Sequence, residues 1–101
     1  MARVINTSEF DKAIENGVVV VDFFATWCGP CKMLAPVFDE ASQEVDATFV
    51  KVDIDQSLEI AQRFNITTVP TMMIFKNGQK VDSMVGFMPK EKLVEKVKSH
   101  L

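Results

Sequence analysis

The two cysteines of this 101-residue sequence, Cys28 and Cys31, lie in the segment Trp-Cys-Gly-Pro-Cys-Lys at residues 27–32. A helical pattern begins directly after Cys28, so backbone N–H groups and the helix dipole are expected to stabilise its thiolate. We therefore expect Cys28 to be a nucleophile. Cys31 falls about one turn later on the same helix face, at a separation compatible with a disulfide. We expect Cys31 to be the more buried of the two and to act as the resolving thiol.

The two residues between the cysteines fit this chemistry. Pro30 can occupy the first helical turn without removing a needed backbone donor, and it stiffens the loop. Gly29 lets the backbone of a substrate approach closely. Both residues are therefore included in the predicted site.

Three kinds of chemistry are compatible with the cysteine pair. A structural disulfide would close a very short loop, worth about 2 kcal/mol in the chain-entropy model, and a helix needs no such staple. A zinc site would need further ligands, and the only histidine, His100, has no metal-ligand spacing to the pair. Thiol–disulfide exchange is favoured, because Cys-x-x-Cys after a strand in a βαβ setting is its signature.

The elements that must position the cysteines are outlined by hydrophobic periodicity and turn residues. The predicted first half contains an edge strand at Val4-Ile5, a helix capped by Ser8 and stopped by Gly17, a central strand at 18–25, and a helix after the cysteines. The predicted second half contains a strand at 48–53, a short helix with Leu58, Ala61 and Phe64 inward, a hairpin around Asn77-Gly78, and a helix from near Pro89 with Leu93, Val94, Val97 and Leu101 on one face. Parallel crossovers combined with a hairpin predict an α/β fold with one mixed sheet and helices on both faces.

Composition excludes several classes of function. With 48% apolar and 25% charged residues, the chain is expected to form one domain over residues 1–101. The net charge of -3 and the lack of a Lys/Arg cluster argue against nucleic acid as a partner. The longest apolar run, Val18 to Val21, is too short for a membrane helix, and no signal peptide is visible. We expect a cytoplasmic protein without a membrane partner, cofactor or metal.

The cysteine segment and its neighbours resemble the thioredoxin family over essentially the whole chain. The matching motifs are Val-Asp-Phe-Phe-Ala at 21–25, the cysteine segment, Val-Pro-Thr at 69–71, Phe-Lys-Asn-Gly at 75–78 and Val-Gly at 85–86. The resemblance implies the thioredoxin fold, a central five-stranded mixed sheet flanked by four helices. It also implies a monomeric protein dithiol–disulfide oxidoreductase in cell redox homeostasis and electron transport. Such a protein reduces disulfides in partner proteins and is re-reduced by an NADPH-dependent thioredoxin reductase.

The resemblance gives Asp22 and Lys51 roles beneath the cysteines. Asp22 lies inside an apolar strand, where burial is costly unless the pKa of its carboxyl rises, and the alternative is that the strand turns it to solvent. In the family this aspartate accepts the proton of the resolving thiol, which implies the same role for Asp22 toward Cys31. Lys51 matches the family lysine that pairs with this aspartate, and a solvated strand lysine is the alternative.

The resemblance also implies a substrate groove beside Cys28. Pro70 matches a cis-proline that leaves the preceding backbone free to pair with an extended substrate, and an ordinary trans proline is the alternative. Trp27 is expected to be an exposed contact surface, and core packing is the alternative. The expected groove residues are Trp27, Ile54, Val69, Pro70, Val85 and Gly86, with Thr68 and Phe87 at the rim.

Departures from the commonest family pattern bear on selectivity and not on the thiols. Thr68 replaces a small glycine found in some members, and Phe87 is bulky where the residue is often small, so partner choice is expected to narrow. Gly-Pro between the cysteines is expected for a reductase, whereas an isomerase or oxidase would carry a dipeptide such as Gly-His. A second hypothesis is a binding or chaperone-like module that docks on a larger enzyme, with incidental thiols.

Overall fold

A computed structural model describes residues 2–101 of the chain. Within these residues the chain forms one five-stranded sheet, with strands β1 (Arg3–Val4), β2 (Val18–Phe24), β3 (Thr48–Asp53), β4 (Thr71–Lys76) and β5 (Gln79–Val85). The spatial order is β1-β3-β2-β4-β5. Strands β1, β3 and β2 pair in parallel, and β4 pairs antiparallel with both β2 and β5.

The described residues also form four α-helices, and with the sheet they confirm the predicted fold. The helices are α1 (Phe10–Ile14), α2 (Gly29–Ser42), α3 (Leu58–Arg63) and α4 (Lys90–Lys98). None of them is long and apolar enough to qualify as a membrane span within residues 2–101.

The start of the first helix differs from the prediction. Asn6, and not Ser8, is the cap: its side chain accepts the N–H of Glu9, while the Glu9 carboxylate accepts the N–H of Asn6. This capping box opens a short 3-10 turn at Thr7–Glu9 that leads into α1. The helix then ends at Ile14, ahead of the predicted stop at Gly17.

Strand β2 is buried on both faces, which explains its continuous apolar sequence. Val19, Val21 and Phe23 pack with residues of α1 and α3. Val20 packs with residues of α2 and α4 on the opposite face. Because side chains alternate along a strand, Asp22 lies on the same face as Val20, under α2. The central position of β2 therefore brings a carboxyl group into the interior.

Two leucines predicted to face inward are exposed. Leu58, with 58% of its surface exposed, is the first residue of α3, and Ile60 and Ala61 are the buried residues of that helix. Leu101, with 56% exposed, lies beyond the end of α4 at Lys98. The predicted apolar face of α4 extended past the end of that helix, whereas Leu58 lies within the first turn of α3 and its side chain is exposed.

Four methionines in the second half of the chain pack into or against the core. Met72, Met73 and Met84 are buried, and Met88 is half-buried against the cluster beneath α2 and α4. They therefore do not form a methionine-rich docking surface.

Candidate functional site

The cysteine pair lies where β2 ends and α2 begins. Cys28 is the N-cap of α2, and its Sγ accepts the backbone N–H of Cys31 at 3.1 Å. The two residues form a disulfide with their Cα atoms 5.3 Å apart, and no free cysteine is found in the described chain. The predicted position of Cys28 at a helix N-terminus is confirmed, and Pro30 lies in the first turn of the helix.

The predicted difference in burial between the two cysteines is wrong. Both Cys28 and Cys31 are 4% exposed. Phe24, Ile54 and Val69 pack against the buried cluster that contains both cysteines. The two cysteines instead differ in their surroundings, because Cys28 Sγ is 3.6 Å from the carbonyl oxygen of Val69.

The space in front of the cysteines is open. Gly29 and Pro30 are both exposed at the start of α2. A Cβ placed on Gly29 would meet no heavy atom within 4 Å, so this glycine keeps the approach wide without relieving any clash of the folded chain. A substrate backbone therefore has access to this end of α2.

Asp22 is fully buried, so the alternative that it faces solvent is wrong. Neither of its carboxylate oxygens has a hydrogen-bond partner in the described chain. Burial raises the pKa of Asp22 to about 7, and the positive charge of Lys51 opposes this shift in part. The carboxyl group can therefore gain or lose a proton near neutral pH.

Lys51 lies directly opposite Asp22 in the register of β2 and β3. Its side chain is half-buried, and its Nζ lies 4.7 Å from the centre of the Phe24 ring. The ion pairs of residues 2–101 do not include a direct contact between Lys51 and Asp22. The positive charge of Lys51 therefore lowers the pKa of Asp22 without direct contact. Because Lys51 is half-buried, the alternative of a fully solvated strand lysine is not supported.

A small cavity lies under the start of α2. It has a volume of about 260 Å³. Its lining residues are Phe24, Ala25, Thr26, Cys31, Lys32, Ala35 and Lys51. Cys31 and the lysine opposite Asp22 therefore line the same cavity.

Pro70 follows a cis peptide bond, so the alternative of a trans proline is wrong. The carbonyl oxygen of Pro70 accepts the N–H of Gly86 at 2.8 Å, which ties two predicted groove segments together. The N–H and C=O of Val69 make no backbone hydrogen bond in the described chain, since β4 begins only at Thr71. The backbone next to Cys28 is therefore free to pair with another strand.

Most side chains of the predicted apolar groove are exposed or half-buried. Trp27 is 68% exposed, so the alternative of core packing is wrong. Val85 and Phe87 are exposed apolar side chains, and Thr68 is exposed as well. Ile54 and Val69 are half-buried against the cysteine cluster. Gly86 adjoins this surface, because its N–H donates a hydrogen bond to the carbonyl oxygen of Pro70.

One residue of the site was missed by sequence reasoning. The indole Nε1 of Trp27 donates a hydrogen bond to Asp55 Oδ2 at 2.9 Å. Asp55 follows the end of β3 as Trp27 follows the end of β2, and parallel strands end at the same edge of a sheet. This shared edge was the signal that could have placed Asp55 beside Trp27.

Within residues 2–101, no group of three or more His, Cys, Asp or Glu side chains is placed to hold a metal ion. His100 instead lies 2.9 Å from the carboxylate of Asp82.

The sequence and structure are similar to thioredoxins over nearly the whole chain. A family model described as Thioredoxin matches residues 1–99. The thioredoxin of Staphylococcus saprophyticus is 46% identical over 99 residues, which make up 96% of this chain and 95% of that protein. The solved structure of Plasmodium falciparum thioredoxin has a TM-score of 0.90 and 39% identity, with 100% of each chain covered. A mutant thioredoxin from Halobacterium salinarum has a TM-score of 0.90 and 34% identity, over 98% of this chain and 88% of that one.

These similarities agree with the geometry of the site. The disulfide between Cys28 and Cys31 lies at the N-terminus of α2, beside a cis-proline and above a buried carboxyl group. The chain belongs to the thioredoxin family of protein disulfide oxidoreductases.

Proposed function

We propose that the protein acts mainly as a reductant of disulfides in partner proteins, with Cys28 attacking and Cys31 resolving. The observation that carries the assignment is the position of Cys28 Sγ. It lies at the N-cap of α2, accepts a backbone N–H, and is next to the free backbone of Val69. A thiolate at this position is stabilised by the same donor.

The reaction transfers two electrons in two exchange steps. The Cys28 thiolate attacks one sulfur of the partner's disulfide, a mixed disulfide forms, and the other partner sulfur leaves as a thiolate that takes a proton. The Cys31 thiolate then attacks Cys28 Sγ and releases the second partner sulfur. The partner gains two electrons and two protons, and the protein is left with the Cys28–Cys31 disulfide.

Asp22 would accept the proton of Cys31 in the second step. A carboxyl with a pKa of about 7 can take a proton at neutral pH and return it. The cavity lined by Cys31 and Lys51 is large enough to hold water next to Cys31. Lys51 would keep the pKa of Asp22 from rising further.

The groove would hold the partner as an extended strand. The N–H and C=O of Val69, which pair with no other backbone group in the described residues and lie next to the cis peptide bond, would pair with the partner's backbone. Apolar contacts would come from Trp27, Ile54, Val85 and Gly86, with Thr68 and Phe87 at the rim. Gly29 and Pro30 would leave the approach to Cys28 open. Backbone pairing and an apolar surface tolerate many partner sequences.

The remaining parts of the proposal concern the cellular setting. Residues 1–101 would work as a single domain and as a monomer in the cytoplasm. Electrons would come from NADPH through a thioredoxin reductase. A protein with one dithiol carries two electrons at a time, so it must return to such a partner after each turnover.

A trapping experiment tests the assignment of the two cysteines. Cys31→Ser cannot complete the second step, so it is expected to accumulate partners bound through Cys28 in a cell extract. These adducts would be measured on non-reducing gels and identified by mass spectrometry. The double variant Cys28→Ser/Cys31→Ser is the matched control and should trap none. Recovery of no mixed disulfides with Cys31→Ser would contradict the proposal, and full biological function in the double variant would favour a thiol-independent docking module.

A further inference from the structure

A concave pocket of about 200 Å³ adjoins the substrate groove. One wall is the loop between α3 and β4, with Asn65, Thr67 and Thr68. The other wall is one face of the β4–β5 hairpin, where Lys80, Ser83 and Val85 are exposed. Thr68 and Val85 also belong to the proposed groove, so a substrate strand in the groove would pass the mouth of this pocket.

The register of the hairpin explains why these side chains share a face. Ser83 lies opposite Met73 and Lys80 lies opposite Phe75, and both partners point into the core beneath α1 and α3. A register shift between Ile74 and Phe75 keeps Lys80 on this face. The pairing of β4 with β5 therefore determines which side chains form this wall of the pocket.

The pocket offers hydrogen-bond donors and one positive charge. The hydroxyl groups of Thr67, Thr68 and Ser83 make no hydrogen bond to protein in the described chain, and neither does the side-chain amide of Asn65. Lys80 takes part in none of the ion pairs of residues 2–101. No carboxylate lines the pocket. Hydroxyls, an amide and an ammonium together fit a carboxylate ligand.

The two flanks of the groove differ in charge. On the Trp27 side, the carboxylate of Asp55 accepts the indole N–H and is exposed. On the Val85 side, Lys80 is the charged residue of the pocket. The chain has a net charge of -3, but no acidic residue lines this pocket. An acidic residue of the bound strand is therefore expected to favour the end of the groove next to the pocket.

We propose that this pocket binds an Asp or Glu side chain of the substrate strand, so that the protein reduces disulfides with an acidic residue nearby faster than otherwise equal ones. The inference rests on the proposed function, because the groove must hold a substrate strand for the pocket to be reached. Lys80 is a specificity-determining residue that does not touch the reacting sulfurs.

The test uses peptides that carry one cysteine as a mixed disulfide with thionitrobenzoate. A Glu, Gln or Lys is placed in turn at each position flanking the cysteine, in an uncharged background. The rate of thionitrobenzoate release by the reduced protein measures the attack of Cys28. At one or more positions, the Glu peptide should react about three- to fivefold faster than the Gln peptide at low salt, as expected for an exposed ion pair. High salt should reduce this preference.

Variants of Lys80 assign the preference to the pocket. Lys80→Gln should abolish it, and Lys80→Glu should reverse it in favour of the Lys peptide. Lys12→Glu is the matched control, because it changes the net charge equally from an exposed position on α1 and lines neither the pocket nor the groove. It should keep the preference for Glu. Lys12→Glu should react with the Gln peptide at the rate of the parent protein.

The outcomes separate this inference from the proposed function. Equal rates with Glu, Gln and Lys peptides, or a preference that survives in Lys80→Glu, would overturn the acidic pocket and leave the reductase intact. A preference lost equally in Lys12→Glu would also overturn it, since net charge would then be the cause. No reaction with any peptide would overturn the reductase and the pocket together.

Discussion

Two carboxyl groups that point toward the same side of the sheet behave in opposite ways. Asp22, on the central strand β2, is fully buried and has no hydrogen-bond partner in the described chain. Asp82, on the edge strand β5, lies 2.9 Å from His100 Nε2 and 3.4 Å from Lys96 Nζ at the end of α4. Burial raises the pKa of Asp22 to about 7, whereas the hydrogen bond from His100 is the main cause that lowers the pKa of Asp82.

The difference separates a group that we propose takes part in the reaction from a group that stabilises the fold. Asp82 Oδ2 contacts Lys96 of α4 and His100 just after it, and Oδ1 accepts the N–H of Ser83, so the charge of Asp82 contributes to stability. The oxygens of Asp22 are unoccupied, so its charge is a cost to the folded state. A buried carboxyl group that destabilises the fold is expected beneath a dithiol if the reaction of the dithiol uses the proton of that carboxyl group.

The largest expected effect comes from Asp22→Asn. The folded pKa of Asp22, about 7, lies above the ordinary value near 4, so the folded state binds the extra proton and stability falls as pH rises through this range. Above about pH 8, the variant should be more stable than the parent by roughly 4 kcal/mol, a shift of about three pKa units. Urea unfolding of both disulfide forms measures the difference.

The pH dependence is the control for this prediction. Below about pH 4 the carboxyl is protonated in both the folded and the unfolded chain, so the gain should vanish there. A gain that persists unchanged at pH 4 would show that Asn packs better for reasons other than charge. A variant less stable than the parent at pH 8 would contradict the cost assigned to Asp22.

A smaller effect of opposite sign is expected from Asp82→Asn. A lowered pKa means that the charged carboxyl stabilises the fold above its unfolded pKa near 4, and that this contribution is lost as pH falls through the folded value. The variant should lose about 1 kcal/mol at pH 6, typical of a partly exposed hydrogen-bonded charge. The loss should shrink toward pH 2. No loss at pH 6 would remove the contrast with Asp22.

Substitution of the partners of Asp82 sharpens the comparison further. His100→Ala should reproduce most of the loss, because Nε2 is at hydrogen-bond distance and is the main cause of the lowered pKa. Lys96→Ala should cost less, since its Nζ is farther away and more exposed. Equal losses would indicate that net charge near Asp82, and not the hydrogen bond, is responsible.

The smallest effect is expected from Lys51→Gln. Removal of this positive charge should raise the pKa of Asp22 above about 7, because Lys51 opposes the effect of burial. The midpoint of the pH-dependent stability difference between Lys51→Gln and the double variant Lys51→Gln/Asp22→Asn should move upward. Lys51→Arg keeps the charge and should leave the midpoint near that of the parent. A downward shift in Lys51→Gln would contradict the role of the lysine.

Local sequence signals predicted the elements around the dithiol well. The continuous apolar run of β2 and the Asn-Gly turn between β4 and β5 predicted those strands, because helix-covered strands and tight hairpins have strong local patterns. The helical apolar pattern that begins after Cys28 predicted its position at a helix N-terminus. The burial of Asp22 followed from the apolar strand around it, whereas the proton-acceptor role proposed for Asp22 and the cis bond before Pro70 came from the family resemblance.

Other features depended on long-range contacts that a single sequence does not reveal. Asp55 contacts Trp27 only because two parallel strands end at the same edge. Asp82 contacts His100 only because α4 returns over β5. The equal burial of Cys28 and Cys31 depends on how Ile54 and Val69 pack against both. Each of these contacts joins segments distant in the chain.

The most direct test of the account is the rate at which Cys31 resolves a mixed disulfide at Cys28. When the reduced protein reacts with excess dithiobis-nitrobenzoate, the first thionitrobenzoate reports the attack of Cys28 and the second reports resolution by Cys31. At pH 7, Asp22→Asn should slow the second phase about tenfold or more and leave the first unchanged, as expected on loss of a general base. The two proteins should converge near pH 9, where thiols ionise unaided. Identical second phases across pH 6 to 8 would contradict the proton-acceptor role of Asp22.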